Sequence, residues 1–178
     1  MKSNDYLYRK IRSSMGTAKL EEQDFASLIR AIVGRFFQMF ASYLPMTPSM
    51  RVKCQRIRGV NIGENVFVGF EVYMDPVHPQ MITIEDDVAI SGRNSILVHT
   101  SPPSYFRESH PRMSKLFAKT SPVTIKRGAW IAIDVVILPG VTIGENSIVT
   151  AGSVVSKDIP PNCIARGNPA EVVLRLDK

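Results

Sequence analysis

The sequence predicts a β-solenoid: short strands wound into stacked coils, preceded by a helical arm. Three observations predict it. An aliphatic residue or methionine returns at every sixth position, at Ile62, Val68 and Met74, at Ile84, Ile90 and Ile96, and from Ile125 through Ile131, Ile137, Ile143 and Val149 to Val155. Four places after many of these stands a second small or apolar residue, as at Val66, Val72, Val88, Ala129, Val135, Val141, Ser147 and Ser153. Glycine or another small residue often follows the first position, as at Gly63, Gly69, Ser91, Ala132 and Gly144.

A helical period of 3.6 does not divide six, whereas a strand period of two does. Short strands joined by tight corners therefore return one residue type to one interior place at every step. Gly63, Gly144, Asn65 and Asn146 suit such corners because they tolerate positive φ. One coil cannot bury its apolar side alone, but stacked coils can. The hexads predict about four coils, over residues 62–79, 84–101, 125–142 and 143–160. Residues 75–83 shift the phase with a small insertion around Pro76 and Pro79. Residues 100–122 interrupt the repeat with a long loop, a feature that is usually functional in a compact domain.

The pattern changes near residue 56, which divides the chain into an arm over 1–56 and a repeat domain over 57–178 with 102–122 inserted. Residues 1–20 are polar and basic and read as loose. Residues 23–44 read as a helix, because Phe25, Leu28, Ile29, Ile32, Val33, Phe36, Phe37 and Phe40 share one face at helical spacing. Asp24 is a candidate cap, and Pro45 and Pro48 lie past the end. Arg30, Arg35 and Gln38 argue against a spanning helix. Two readings of its apolar face stand. It packs against the body or a sister subunit, or helix 25–40 makes a peripheral membrane contact held by its basic residues.

The formal charge of +6 suggests an anionic partner, with an unspecialised basic surface as the competing reading. Two cysteines, Cys54 and Cys163, are too few for a disulfide framework, so both read as reduced in a cytoplasmic protein. The start, MKSNDYLYRKIRSSMG, has no apolar core of a secretory signal.

The end of the repeat is the most specific stretch. Trp130-Ile131-Ala132 is followed by ILPGVTIGENSIVTAGSVVSKDIPPNCIARGNPAEVV. It resembles the hexapeptide repeat of left-handed parallel β-helix acyltransferases, among them sugar, xenobiotic and polysaccharide O-acetyltransferases. The family pattern reads W-I-G, I-x-P-G-V-T-I-G, G-A-G-S-V-V-T-K-D-I-P and G-x-P-A. Ala132 and Thr150 replace two of its glycines, and Glu171 stands where many relatives carry a basic residue. The resemblance covers residues 60–175 and implies three hexads per coil, left-handed winding, a homotrimer, and acetyl-CoA as co-substrate. The anionic partner it implies is this cofactor rather than nucleic acid.

A thioester is already activated, but a hydroxyl acceptor needs a base, and a neutral histidine suits that role near pH 7. His99, in Ile96-Leu97-Val98-His99-Thr100-Ser101-Pro102, stands where the coil gives way to the loop and matches the family's catalytic histidine. His110 and His78 are weaker candidates. Asp75 is a candidate partner for the second ring nitrogen, with an exposed turn aspartate as the competing reading. The resemblance carries cofactor contacts to Trp130, Ala151, Ser156 and Lys157, with Arg166 and Arg175 as further phosphate candidates. It places Asn94 near an acceptor contact. Tyr105 and Arg107, with other aromatic and basic residues of the loop, suit a sugar, or simply pack on a neighbouring subunit.

The leading expectation is an O-acetyltransferase acting on a surface polysaccharide or its precursor, in the cytoplasm or at the inner face of the membrane. Alternatives are an acetyltransferase of a soluble small molecule, a zinc enzyme resembling the γ-class carbonic anhydrases built on His78, His99 and His110, and a non-catalytic scaffold. No metal is expected under the leading reading.

Overall fold

The six-residue step folds into three faces. In the computed structural model, which describes residues 25–176, each coil lays one strand on each face. The first face carries Asn61–Ile62, Ile82–Ile84, Val123–Ile125 and Thr142–Ile143 in parallel. The second carries Phe67–Val68, Ala89–Ile90, Trp130–Ile131, Ile148–Val149 and Cys163–Gly167, and ends in the antiparallel Ala170–Arg175. The third carries Tyr73–Met74, Ser95–Ile96, Val136–Ile137 and Val154–Val155. The coils expected from the hexads are these, and a fifth begins with the Ile143–Ile159 bridge and Cys163. The winding is left-handed, as the resemblance implies.

The sixth-residue aliphatics form the core, from Val68 and Met74 through Ile84, Ile90, Ile125 and Ile143 to Val155. Ile62 and Val66, at the open first coil, and Met81 are partly buried and pack against this core.

Corners recur three residues after an interior aliphatic. Asn65, Asp87, Arg93, Asp134, Asn146 and Gly152 all have positive φ. A side chain in that region costs about 1–2 kcal/mol. The cost is offset by bonds to the coil below, since the N–H groups of Asp87, Gly128, Asn146 and Asn162 donate to the carbonyls of Glu64, Asp86, Arg127 and Glu145. Asn65 and Asn146 therefore serve as expected. Gly63 and Gly144 do not: neither has positive φ. They are glycines for space, because a Cβ at Gly144 would lie 2.3 Å from the Pro161 nitrogen and one at Gly63 as close to Asp86.

The arm holds two helices, α1 (Phe25–Tyr43) and α2 (Pro48–Arg58). The second was not expected. Thr47 caps it, Pro48 stands in its first turn, and Gly59 closes it at φ 102°. It runs across the boundary placed at residue 56, so arm and solenoid are joined there by a continuous helix. α1 docks on the solenoid through Gln38, Ala41 and Ser42, which are buried, while Val33, Phe36, Met39 and Tyr43 remain exposed. Of the predicted apolar stripe, Ile32, Phe37 and Phe40 are half-buried and Val33 and Phe36 are exposed. The contact has a polar part, in which the Gln38 and Ser42 side chains reach the Val72 carbonyl. The Asp24 cap and the loose residues 1–20 lie outside the described residues. Among those described, no helix is long and apolar enough to cross a membrane.

The interruption has structure of its own. His99–Thr100 pairs antiparallel with Lys119–Thr120, and this short ribbon supports α3 (Ser104–Ser109) and α4 (Pro111–Phe117).

These packing differences are testable by thermal unfolding. Gly144→Ala is expected to destabilise by about 1–3 kcal/mol through overpacking. Gly34→Ala, in open space on α1, is expected to stabilise by about 0.5–1 kcal/mol.

Candidate active site

The site begins with strand register. Met74 lies opposite Ile96 on the third face, so Asp75 leaves the first coil beside the segment that carries His99. Oδ1 of Asp75 accepts the N–H groups of Val77 (2.9 Å) and His78 (3.1 Å), closing an Asx turn before Pro79. Oδ2 accepts the N–H groups of Val98 and His99, each at 3.2 Å. The His99 imidazole completes the set with Nδ1 2.5 Å from Oδ2.

Asp75 is wholly buried and His99 about 28 % exposed. Burial pushes the Asp75 carboxyl upward. Hydrogen bonds from Val77, His99 and His78 outweigh burial and hold it below the usual carboxylate range. An ionised carboxylate can only accept, so Nδ1 of the neutral ring carries the proton and Nε2 keeps its lone pair. Nε2 makes no hydrogen bond among the described residues. A ring held in this way is chemically able to accept a proton at Nε2.

His78 stands edge-on to His99, with ring centroids 5.6 Å apart. His110 lies in the excursion and stacks on Phe106 at 4.6 Å. Among the described residues, no three His, Cys, Asp or Glu side chains converge as metal ligands.

Asn94 requires a correction. It is wholly buried; its amide donates to the Ser91 carbonyl at 2.8 Å and its oxygen accepts the Val135 N–H at 2.6 Å. Both ends hold the corner between two coils, and the side chain does not face an acceptor. It occupies the same interior place that Ser147 and Ser153 fill in later coils. Tyr105 and Arg107 lie on α3. Tyr105 is exposed, and the Arg107 guanidinium braces the excursion through Ser101 Oγ at 3.0 Å.

The candidate cofactor residues lie on the third to fifth coils and their surface is open. Ser156 and Lys157 follow the last strand of the third face, on the edge of the prism that also carries His99 two coils earlier. Ala151 is exposed at the corner before that strand. Trp130 stands half exposed on the second face, opposite that edge, with Nε1 3.3 Å from Ser91 Oγ. Arg166 and Arg175 are exposed on the closing hairpin, with Arg166 across from Glu171. A single chain thus gathers Asp75 and His99, with Lys157 along the same edge, and leaves Trp130 on another side. An open groove of about 530 Å³, walled by Arg56, Asn61, Thr83, Glu85 and Arg127, contains none of these residues.

Sequence reasoning missed a buried polar cluster behind Asp75. It comprises Gln38, Gln55 and Arg58, all buried. Its signal was the cap pair of α2, Thr47-Pro48 and Gly59, which would have marked Arg58 as the end of a helix.

Comparison with known proteins follows the same lines. Residues 122–157 match the model of the bacterial transferase hexapeptide family (six repeats). The galactoside O-acetyltransferase of Escherichia coli (strain K12) is 36% identical over 118 residues, 66% of this chain and 55% of that protein. The chain therefore spans about half the length of that curated relative. A Schizosaccharomyces pombe (strain 972) protein bearing an acetyltransferase name is 31% identical over 174 residues, 96% of this chain and 79% of that protein. The solved structure of a galactoside acetyltransferase in complex with coenzyme A superposes with a TM-score of 0.63 at 26% identity, covering 94% of this chain and 90% of that one.

The Asp75 carboxylate predicts an acid dependence. Its stabilisation is complete above the ordinary carboxylate pKa of about 4 and is lost as pH falls through its lowered folded value. Asp75→Asn turns one acceptor oxygen into a donor facing other donors, so it should cost about 1–3 kcal/mol at pH 7. Urea unfolding from pH 7 to 3 is expected to show the gap between variant and wild type closing as the wild type becomes protonated.

Proposed function

The chain belongs to the bacterial hexapeptide transferase family, and we propose that it transfers an acetyl group from acetyl-CoA to a hydroxyl of a carbohydrate. The observation that carries the proposal is the His99–Asp75 pair, with Nδ1 tied to a buried carboxylate and Nε2 left as the base. In this mechanism Nε2 takes the proton of the acceptor hydroxyl as its oxygen attacks the thioester carbonyl. A carbon–oxygen bond forms, the carbon–sulfur bond breaks, and the imidazolium returns its proton to the departing thiolate. Asp75 stays ionised throughout and stabilises the imidazolium.

The residues present fit coenzyme A. Lys157, Arg166 and Arg175 offer exposed cations on the last coils for its phosphates, and Trp130 offers an exposed ring. We assign Ala151 and Ser156 to the pantetheine arm on the resemblance. Trp130 and His99 lie on different sides of one prism, which suits a homotrimer whose sites lie between neighbouring subunits. Tyr105 and Arg107, on the excursion, are assigned to the acceptor.

The acceptor class rests on the galactoside relative. The finer reading is a hydroxyl of a surface polysaccharide or its lipid-linked precursor, acetylated in the cytoplasm or at the inner membrane face. What supports it is the exposed stripe Val33, Phe36, Met39 and Tyr43 on α1, which suits burial in a membrane interface or against a sister subunit. Sedimentation with anionic vesicles separates these, since only the first predicts binding that Phe36→Glu abolishes.

Transfer from labelled acetyl-CoA to galactosides, lipid-linked saccharides and antibiotics tests the whole reading. His99→Ala should lower transfer about 10²–10⁴-fold while coenzyme A binding persists. Unchanged transfer in that variant removes His99 as the base. Transfer to antibiotics alone removes the carbohydrate acceptor.

A further inference from the structure

Arg58 is a buried cation with no carboxylate hydrogen-bonded to it among the described residues. Its Nη1 donates to the side-chain oxygens of Gln38 and Gln55, and its Nη2 to the main-chain carbonyls of Met74 (3.1 Å) and Asp75 (3.0 Å). All four acceptors are neutral. The Nε finds no partner among the described residues. The guanidinium pKa is lowered to about 10, because burial outweighs the opposing influence of Asp75 and Tyr73. A buried charge held only by neutral oxygens is a costly feature, and nothing in the fold of the solenoid requires it. The other coils turn the same corner without one.

Its location suggests its use. Met74 and Asp75 are the last residues before the Asx turn that aims the Asp75 carboxylate. The two helices of the arm converge on this point, since Gln38 belongs to α1 and Gln55 and Arg58 to α2. Gln38 also bonds to Ser42 at 2.7 Å and to the Val72 carbonyl at 3.1 Å, so the cluster grips the main chain at Val72, Met74 and Asp75. A planar guanidinium suits this task, because it fixes two carbonyls in one plane with a rigid fork.

We propose that Arg58, oriented by Gln38 and Gln55, is a positioning residue for the base: it clamps the main chain at Met74 and Asp75, so that the carboxylate holds the His99 ring with Nε2 toward the acceptor. The helical arm thereby becomes part of the catalytic apparatus. The inference rests on His99 being the base.

The test uses the full chain and the labelled acetyl-transfer assay. Arg58→Met should reduce kcat up to about 100-fold, the scale of a small misplacement of a reacting group, with KM for acetyl-CoA unchanged. Arg58→Lys keeps a charge but loses the fork, and should recover part of the loss. Both should shift the acid limb of the pH–kcat profile, which a purely structural defect does not move. In an Asp75→Asn background, Arg58→Lys should add no further loss, because the two act through one group. Arg56→Met, on the same helix but bonded to Ile62, Gly63 and Glu64, should leave kcat unchanged. If Arg58→Met does not fold, Arg58→Lys and the double variant carry the test. A wild-type kcat and pH profile in Arg58→Lys, or losses that add in full to those of Asp75→Asn, overturn the inference. If His99→Ala retains wild-type transfer, the base assignment itself falls; if it is inactive while Arg58→Lys is normal, only the inference falls.

Discussion

Each coil must return its interior aliphatic to the same place after six residues, and the corner three residues later must turn with positive φ. That constraint sets the register between coils, because the corner N–H then meets the carbonyl of the coil beneath. Register in turn sets the site. Met74 opposite Ile96 is the reason that Asp75 reaches the N–H groups of Val98 and His99. A slip of one residue would turn every interior side chain outward and separate the pair. The Asp75–His99 pair is thus positioned by the same stacking that builds the core.

Asp75 is where this regular fold becomes chemical. A wholly buried carboxylate would be unstable alone. Here four main-chain N–H groups and an imidazole accompany it, and together they keep it ionised. The insertion around Pro76 and Pro79 supplies two of those groups, so a local irregularity in the repeat serves the site. The excursion after His99 is a second irregularity, closed at its base by the His99–Thr100 ribbon. The Asp75–His99 pair lies where the six-residue rule is broken.

Much of this was legible in the sequence because interior position and residue type are tied by a fixed period. The core, the coils, the excursion and the Asp75–His99 pairing all follow from it or from the motif context of His99. What was not legible has a common physical cause. Asn94 reads as a polar residue free to meet substrate, yet its two ends hold two coils together, a three-dimensional pairing across 41 residues. Gly63 and Gly144 read as flexible corners, whereas the neighbouring coil leaves no room for a Cβ. The apolar spacing of α1 gave no sign that its docked face also carries Gln38 and Ser42, which join it to the Arg58 cluster and the Val72 carbonyl. In each case a contact with another coil or helix decided the role. Lys157, Arg166 and Arg175 are exposed in the single chain.

The central claim is that Asp75 fixes the His99 ring with its proton on Nδ1 and a free lone pair on Nε2. Long-range ¹⁵N–¹H correlation spectra of the imidazole, recorded where His99 is neutral, test this directly. The account predicts a protonated Nδ1 and a bare Nε2 in the wild type, with that preference lost in Asp75→Asn. A wild-type ring protonated on Nε2 would contradict it, for His99 could not then accept a proton from the acceptor.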